Sequence, residues 1–302
     1  MKQGWAACAL AFAAGAAFAQ QQGPGFDIDF DVVRITTEHV AGQVHMLRGD
    51  GGNIGVFVGE DGVFLVDDQF APLTERIRAA IAEISGEPVR FVINTHFHDD
   101  HTNGNENFAE IGALIVAHEN VRITLSRPHF IETVETIFPA FPEQALPVIT
   151  FRDRVRFHLN GEDVEVFHVP AAHTDGDSIV YFRGSNVVHM GDVLRLRGPI
   201  FDQNNGGSYL GLIRALDTVL GVVGENTRII PGHGGLATRD QLREVRDGLT
   251  AVRDRIAAAI AEGKNVEQTI AEDPTRGYQW SMPRLMTMDK IIEWIYREIE
   301  SN

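Results

Sequence analysis

From about Val32 onward the chain alternates short apolar runs with polar breaks: Val32–Thr36, Val44–Leu47, Ile54–Val58 and Val63–Val66. Runs of four or five residues rich in β-branched side chains predict strands, and Glu60-Asp61-Gly62 between the last two predicts a hairpin turn. The period then changes. Leu73, Ile77, Ala80, Ile81 and Ile84 recur at helical spacing until Gly86 and Pro88 stop them. Val89–Ile93 returns to strand, Asn103–Phe108 reads as a short helix, Ala113–Ala117 as a strand and Glu119–Leu125 as a helix. Residues 128–147, rich in Pro and Phe without a clean period, predict a long apolar loop that either packs across the core or walls a cleft. Thr150–Leu159 with Val164–Val169, joined at Asn160-Gly161, and Ser178–Phe182 with Val187–Met190 predict two further hairpins. Tyr209–Leu220 is helical by pattern and Arg228–Ile230 is a short strand. Arg239–Ala261 is a long amphipathic helix with Leu242, Val245, Leu249, Val252, Ile256 and Ile260 on one side. Residues 265–302 add one or two helices, of which Asp289–Ile299 is the clearer. Two rounds of strands followed by helices predict an α/β layered sandwich, sheets inside and helices outside.

Composition sets the frame for that pattern. At 302 residues and 44% hydrophobic content the chain can bury a substantial core. Residues 1–19 stand apart: Lys2 opens a mostly apolar, small-residue stretch that ends in Ala17-Phe18-Ala19, which reads as a secretory signal peptide cut before Gln20. The mature protein is therefore expected in the periplasm or secreted. Residues 20–30 read as a flexible tail, 31–262 as the main domain and 263–302 as a helical extension packed on it. The single cysteine, Cys8, lies inside the leader, so neither a disulfide nor a thiolate ligand is expected in the mature chain. The formal charge of −16 becomes one unit more negative once Lys2 is removed. Such a surface disfavours nucleic acid and anionic lipid and leaves a small molecule as the expected partner, with no membrane association after export. It leaves the oligomeric state open.

The chemistry concentrates after the strand at 89–93, in His96-Phe97-His98-Asp99-Asp100-His101: three imidazoles and two carboxylates within six positions. That density is costly unless a cation binds it, and neutral imidazole with carboxylate is a ligand mixture suited to zinc and similar divalent ions. His96 and His98, two apart, face one way on extended chain, and a turn brings Asp100 and His101 toward a second ion. Three later residues also follow predicted strands: His173 in Ala171-Ala172-His173-Thr174, Asp192 in Met190-Gly191-Asp192, and His233 in Pro231-Gly232-His233-Gly234. Asp99, Asp175 and Asp177 read as loop-holding carboxylates. His39, His45, His129 and His158 have no motif around them, while His118, His168 and His189 flank the site strands as candidate supports.

With these residues in place the sequence resembles the metallo-β-lactamase superfamily of metal-dependent hydrolases. His96 to His101 match its H-x-H-x-D-H signature, the later His, Gly-Asp and Gly-His elements follow in the family's order, and the likeness spans roughly residues 40–237. It implies a four-layer αββα sandwich with the site in a cleft at one edge. It further implies His96, His98 and His173 on one divalent ion, Asp100, His101 and His233 on a second, and Asp192 bridging both. Zinc is the first choice of metal, with manganese or iron also compatible. The best-known zinc β-lactamases carry Cys where this chain has Asp192 and a residue other than His in place of His101. The ligand set is thus closer to that of glyoxalase II thioesterases and lactonases, although another β-lactamase branch keeps that His. Arg195 sits three residues after Asp192, where Cys-type enzymes place a Lys that binds the substrate carboxylate, and Asn204 lies near enough to touch substrate.

The expected chemistry is hydrolysis, in which two cations acidify a water, polarise a carbonyl and leave Asp100 to hold metal and orient the attacking group. A cyclic amide or ester of β-lactam or lactone type is the leading substrate class. A linear ester, thioester or phosphoester is the alternative, and a metal-binding protein without turnover the rival of another kind.

Overall fold

The computed structural model of the chain describes residues 28–281 and 286–302. The expected signal peptide and residues 20–27 of the expected tail lie outside the described residues. The first half of the chain forms β1 (Thr36–Ala41), β2 (Val44–Arg48), β3 (Ile54–Phe57), β4 (Val63–Val66), α1 (Thr74–Ala82), β5 (Val89–Ile93), α2 (Asp99–Thr102), α3 (Asn105–Glu110), β6 (Leu114–His118), α4 (Glu119–Leu125), β7 (His129–Ile131), β8 (Thr136–Phe138) and β9 (Ile149–Phe151). The second half adds β10 (Arg154–Leu159), β11 (Glu162–His168), β12 (Ser178–Phe182), β13 (Val187–His189), α5 (Tyr209–Val222), β14 (Arg228–Ile230), α6 (Arg239–Ala261), α7 (Val266–Ala271) and α8 (Met288–Glu300).

A seven-stranded sheet runs β1-β2-β3-β4-β5-β6-β9 and a five-stranded sheet β10-β11-β12-β13-β14. Side chains alternate across each strand, so the central strands feed two cores. Phe57, Phe64, Val66 and Ile93 meet Val164, Val166, Val180, Phe182 and Val187 between the sheets. Val56, Leu65 and Val92 point the other way, onto Leu73, Ile77 and Ile81 around α1. Ile179, Tyr181, Val188 and Ile229 point outward from the second sheet onto Leu216, Val219, Leu249, Val252 and Ile256 of α5 and α6. The resulting order is helix, sheet, sheet, helix: an αββα sandwich. Strands covered on both faces read as unbroken apolar runs, which is why β3, β4 and β12 are buried throughout.

Two expectations need correction. Val32–Thr36 is not a strand: Val32 is 71% exposed, and pairing begins only at Thr36, opposite Arg48. Thr150–Leu159 is not one strand either. Its start belongs to β9 in the first sheet and its end to β10 in the second, with Arg152-Asp153 at the switch. The 128–147 segment contains the β7–β8 hairpin, which buries Ile131 and Phe138 against Phe97, Val121 and Leu125.

The C-terminal helices lie on the outer helical layer, where Ile291, Trp294 and Ile295 join the core under α5 and α6. Glu298 of α8 also caps α5, accepting from the backbone N–H of Tyr209 at 2.9 Å and of Leu210 at 3.2 Å and from the Ser208 hydroxyl. No helix among the described residues is long and apolar enough to cross a membrane.

Candidate metal centre

β4 and β5 are parallel, so the loops after them leave the first sheet at one edge. β11 and β13 both run antiparallel to β12, and β14 runs parallel to β13, so the loops after those three share an edge of the second sheet. Chain geometry thus delivers all the candidate ligands to one rim, as is usual for sites at the carboxyl ends of strands. His98 starts the single turn of α2, which turns Asp100 and His101 toward the same space as His96 and His98. Glycines let the second sheet's loops approach. Gly191 has φ +49°, and a Cβ on Gly232 would lie 1.9 Å from Asp192 Oδ1.

The seven predicted residues converge. His96, His98 and His173 present ligand atoms to one another within 4.8 Å, as do His96, His101 and Asp192, and Asp100, His101 and His233. Asp192 stands between the outer groups. Its Oδ1 is 3.3 Å from Nε2 of both His101 and His233, and its Oδ2 is 3.9 Å from His173 Nε2. Asp100 Oδ2 is 3.2 Å from His233 Nε2.

The outward nitrogens settle which atoms face inward. The Thr95 hydroxyl donates to Asp67 Oδ2 (2.8 Å) and therefore accepts from His96 Nδ1 (3.0 Å). His101 Nδ1 donates to Asp67 Oδ2 (2.7 Å), His173 Nδ1 to the Ile200 carbonyl (2.8 Å), and His98 Nε2 to Asp202 Oδ2 (3.2 Å). In the neutral imidazoles, the form that takes a cation, the lone pairs left to face inward are those of Nε2 of His96, His101 and His173, and Nδ1 of His98. The inner nitrogens of His98 and His173 lie 2.9 Å apart, so a cation must sit beside them or a proton between them. His96 Nε2, His101 Nε2 and Asp192 Oδ1 are buried without a hydrogen-bond partner. Buried polar atoms rarely go unpaired, and ligand atoms of these three residues lie within 4.8 Å of one another, so the donor set fits divalent cations.

Charge gives the same picture. Burial and the neighbouring imidazoles hold His96 well below its ordinary pKa, and burial with His98 brings His173 to about 4. On the other side burial opposes protonation but is outweighed: Asp100 and Asp67 lift His101 well above its ordinary value, and Asp192 and Asp100 take His233 to about 9. Despite their own burial, Asp192 and Asp100 are held below the usual carboxylate range by His233 and His101. Protons on imidazoles here balance two carboxylates, the charge that divalent ions would balance instead.

The sequence reading missed Asp67, Asp202, Asn205 and Asn53. Asn53 ties the His233 loop down, donating from Nδ2 to the carbonyls of Pro231 (2.8 Å) and Gly234 (3.0 Å). Only Asp67 carried a signal, a polar Asp67-Asp68-Gln69 step directly after a buried strand and itself fully buried. Arg195 lines a cavity of about 300 Å³ with Leu196, Gln241, Glu244, Tyr278 and Trp280, and its Nη1 is buried without a partner; none of the seven side chains lines that cavity. Asn204 Nδ2 donates to Glu132 Oε2 at 3.0 Å. His118 and His168 stack on each other at 3.8 Å, and His189 Nε2 donates to the Asn53 carbonyl. Asp177 accepts from the N–H and hydroxyl of Thr174, fixing the loop around His173.

Comparison with known proteins agrees with this geometry. The 2,4-dinitroanisole O-demethylase subunit alpha of Nocardioides sp. (strain JS1661) is 27% identical over 172 residues, 56% of this chain and 48% of that protein, so the chain spans about half the length of this curated relative. Among solved structures, the stereoselective inverting sec-alkylsulfatase Pisa1 from Pseudomonas sp. superposes with a TM-score of 0.64 at 15% identity, covering 88% of this chain and 50% of that one. The metallo-beta-lactamase from Pontibacter korlensis gives 0.59 at 18% identity over 72% of this chain and 99% of that one. The sequence model of the metallo-beta-lactamase superfamily matches residues 47–233, a stretch that carries all seven convergent side chains, and the chain belongs to that superfamily of hydrolases.

Proposed function

We propose that this protein is an exported, dinuclear metal-dependent hydrolase acting on a cyclic amide or ester of β-lactam or lactone type. The observation that carries the reading is Asp192 set between two nests of inward lone pairs, with one oxygen toward His101 and His233 and the other toward His173. His96, His98 and His173 would hold one ion, Asp100, His101 and His233 the second, and Asp192 both, with zinc as the first choice and manganese or iron compatible. Bound there, the ions would supply an acidified water and a Lewis acid for the scissile carbonyl. The chain's own contribution is placement. Asp100, a candidate ligand of the second ion, would accept a hydrogen bond from the attacking group and orient it. Arg195, three residues beyond Asp192, is the candidate anchor for a substrate carboxylate, which would have to extend from the ions into the separate cavity that Arg195 lines. Asn204 keeps its amide oxygen for substrate while its nitrogen engages Glu132. The leader-like residues 1–19 support export to the periplasm or beyond, where a small molecule is the partner.

A second reading, hydrolysis of linear esters, thioesters or phosphoesters, is favoured by Asp192 standing where the Cys-type β-lactamases carry Cys. Titrating metal-free protein with zinc while assaying nitrocefin, lactones, thioesters and phosphoesters separates the two. Turnover should track two equivalents of zinc and favour cyclic substrates. Activity indifferent to zinc, or metal uptake with no turnover on any substrate, would remove the hydrolase reading. Arg195→Ala should raise KM about tenfold for substrates bearing a carboxylate and leave neutral ones unchanged, the loss expected for a charge-assisted hydrogen bond of about 1.5 kcal/mol.

A further inference from the structure

The first group of imidazoles is wrapped by one short segment, residues 200–205. Ile200 accepts from His173 Nδ1, the backbone N–H of Asp202 donates to the His173 carbonyl at 2.8 Å, and Asp202 Oδ2 accepts from His98 Nε2. Asp202 is fully enclosed, yet its Oδ1 has no hydrogen-bond partner. Both side-chain bonds of this carboxylate therefore fall on Oδ2, one from His98 and one from Asn205 Nδ2 at 2.7 Å. Among the described residues, Asn205 supplies the one side-chain hydrogen bond to this carboxylate apart from that of the imidazole it must itself orient. The same Asn205 nitrogen donates to the Phe130 carbonyl at 2.9 Å, which fixes the amide against β7. Without that tether the carboxylate loses half of the hydrogen bonding that holds Oδ2 toward His98, and with it the acceptor that keeps His98 Nε2 protonated and Nδ1 turned inward is less firmly placed.

We infer that Asn205 is a positioning residue for the candidate ligand His98, acting through Asp202 and holding this imidazole to the β7–β8 hairpin. The inference rests on the reading of His96, His98 and His173 as one metal site and adds to it a residue with no place in the sequence motifs. A metal ligand's direct partner typically contributes 10–100-fold to affinity, and Asn205 stands one bond further out, so its removal should cost about tenfold.

The test is zinc binding by the purified full chain in competition with a chromophoric chelator, run on wild type, Asn205→Ala and Glu132→Ala. Glu132 links the same hairpin to Asn204 at 3.0 Å and to Lys290 at 2.5 Å without touching Asp202, so its loss loosens the hairpin and spares the tether. Asn205→Ala should weaken one of two binding steps about tenfold and leave the other intact, while Glu132→Ala binds as wild type. In the zinc-loaded protein, the His98 Nε2 proton should persist as a slowly exchanging downfield signal in wild type and Glu132→Ala and exchange away in Asn205→Ala. Equal weakening by Asn205→Ala and Glu132→Ala would assign the effect to hairpin anchoring and overturn the inference. So would an Asn205→Ala protein that binds and exchanges as wild type while the wild type takes up two ions. A wild-type chain that takes up no zinc would overturn the metal reading and this inference together.

Discussion

Gly232 has no room for a side chain. A Cβ there would stand 1.9 Å from Asp192 Oδ1 and 2.7 Å from the carbonyl carbon of Gly191, and the carboxylate is the more easily displaced of the two. Gly232→Ala should therefore push Asp192 off its central position, lowering metal affinity at least tenfold, with about 1–3 kcal/mol lost from the metal-free fold through overpacking. Chelator competition and urea unfolding measure the two effects separately, and unchanged affinity would show that Asp192 does not need this position. The same residues mark what a sequence can say about the site. Histidines and aspartates two to five positions apart announce themselves, and later ones are recognisable by the Gly beside them. Asp202 and Asn53 carry no such mark, because their partners lie 104 and 178 positions away and only folding makes them neighbours. Asn205 adds a further link to that hidden layer, joining Asp202 to a hairpin that no residue pattern announced.

At the level of elements, period and length decided what could be read. α6 spans Arg239–Ala261 as its apolar spacing predicts, and Thr238 with Gln241 closes its start in a reciprocal cap. β7 and β8 have three residues each, too few for alternation to show. The run at 150–159 is apolar enough for strand, but nothing in its periodicity says that it changes sheets at Arg152-Asp153. The link between α8 and α5 was equally hidden, since Glu298 looks like any exposed charge near a helix end. Its carboxylate satisfies Ser208, Tyr209 and Leu210 at the start of α5, just after the segment that wraps His98 and His173. Glu298→Ala should cost about 1–3 kcal/mol in urea unfolding, from buried donors left without partners, and Glu298→Gln, which keeps one acceptor oxygen, should recover part of it. Identical unfolding of both variants and wild type would show the cap to be energetically idle.

Over the whole molecule, acid should unfold this protein from outside the site as well as within it. His118, at the end of β6 in the first sheet, stacks face to face on His168, at the end of β11 in the second, and His189 lies between the sheets, all three with pKa values below the ordinary 6.5. Burial is the largest cause in each case, and for His118, only 6% exposed, the stacked His168 adds to it and brings the value to about 4. The sign follows from which state takes the proton. Above pH 6.5 neither folded nor unfolded chain protonates His118, so its contribution is fully present. As pH falls from 6.5 toward 4 the unfolded chain binds a proton that the folded chain refuses, and stability drops by up to about 1.4 kcal/mol per pH unit for this group before levelling off below 4. His118→Asn keeps an acceptor for the Asn120 N–H at the start of α4 and removes the titrating ring. Urea unfolding of zinc-saturated wild type and variant between pH 7.5 and 4.5 should give a shallower acid limb for His118→Asn by close to one proton, whatever the variant loses in packing at neutral pH. The site histidines are common to both proteins and cancel in the comparison, so parallel acid limbs would mean that the stacked pair already carries its proton when folded.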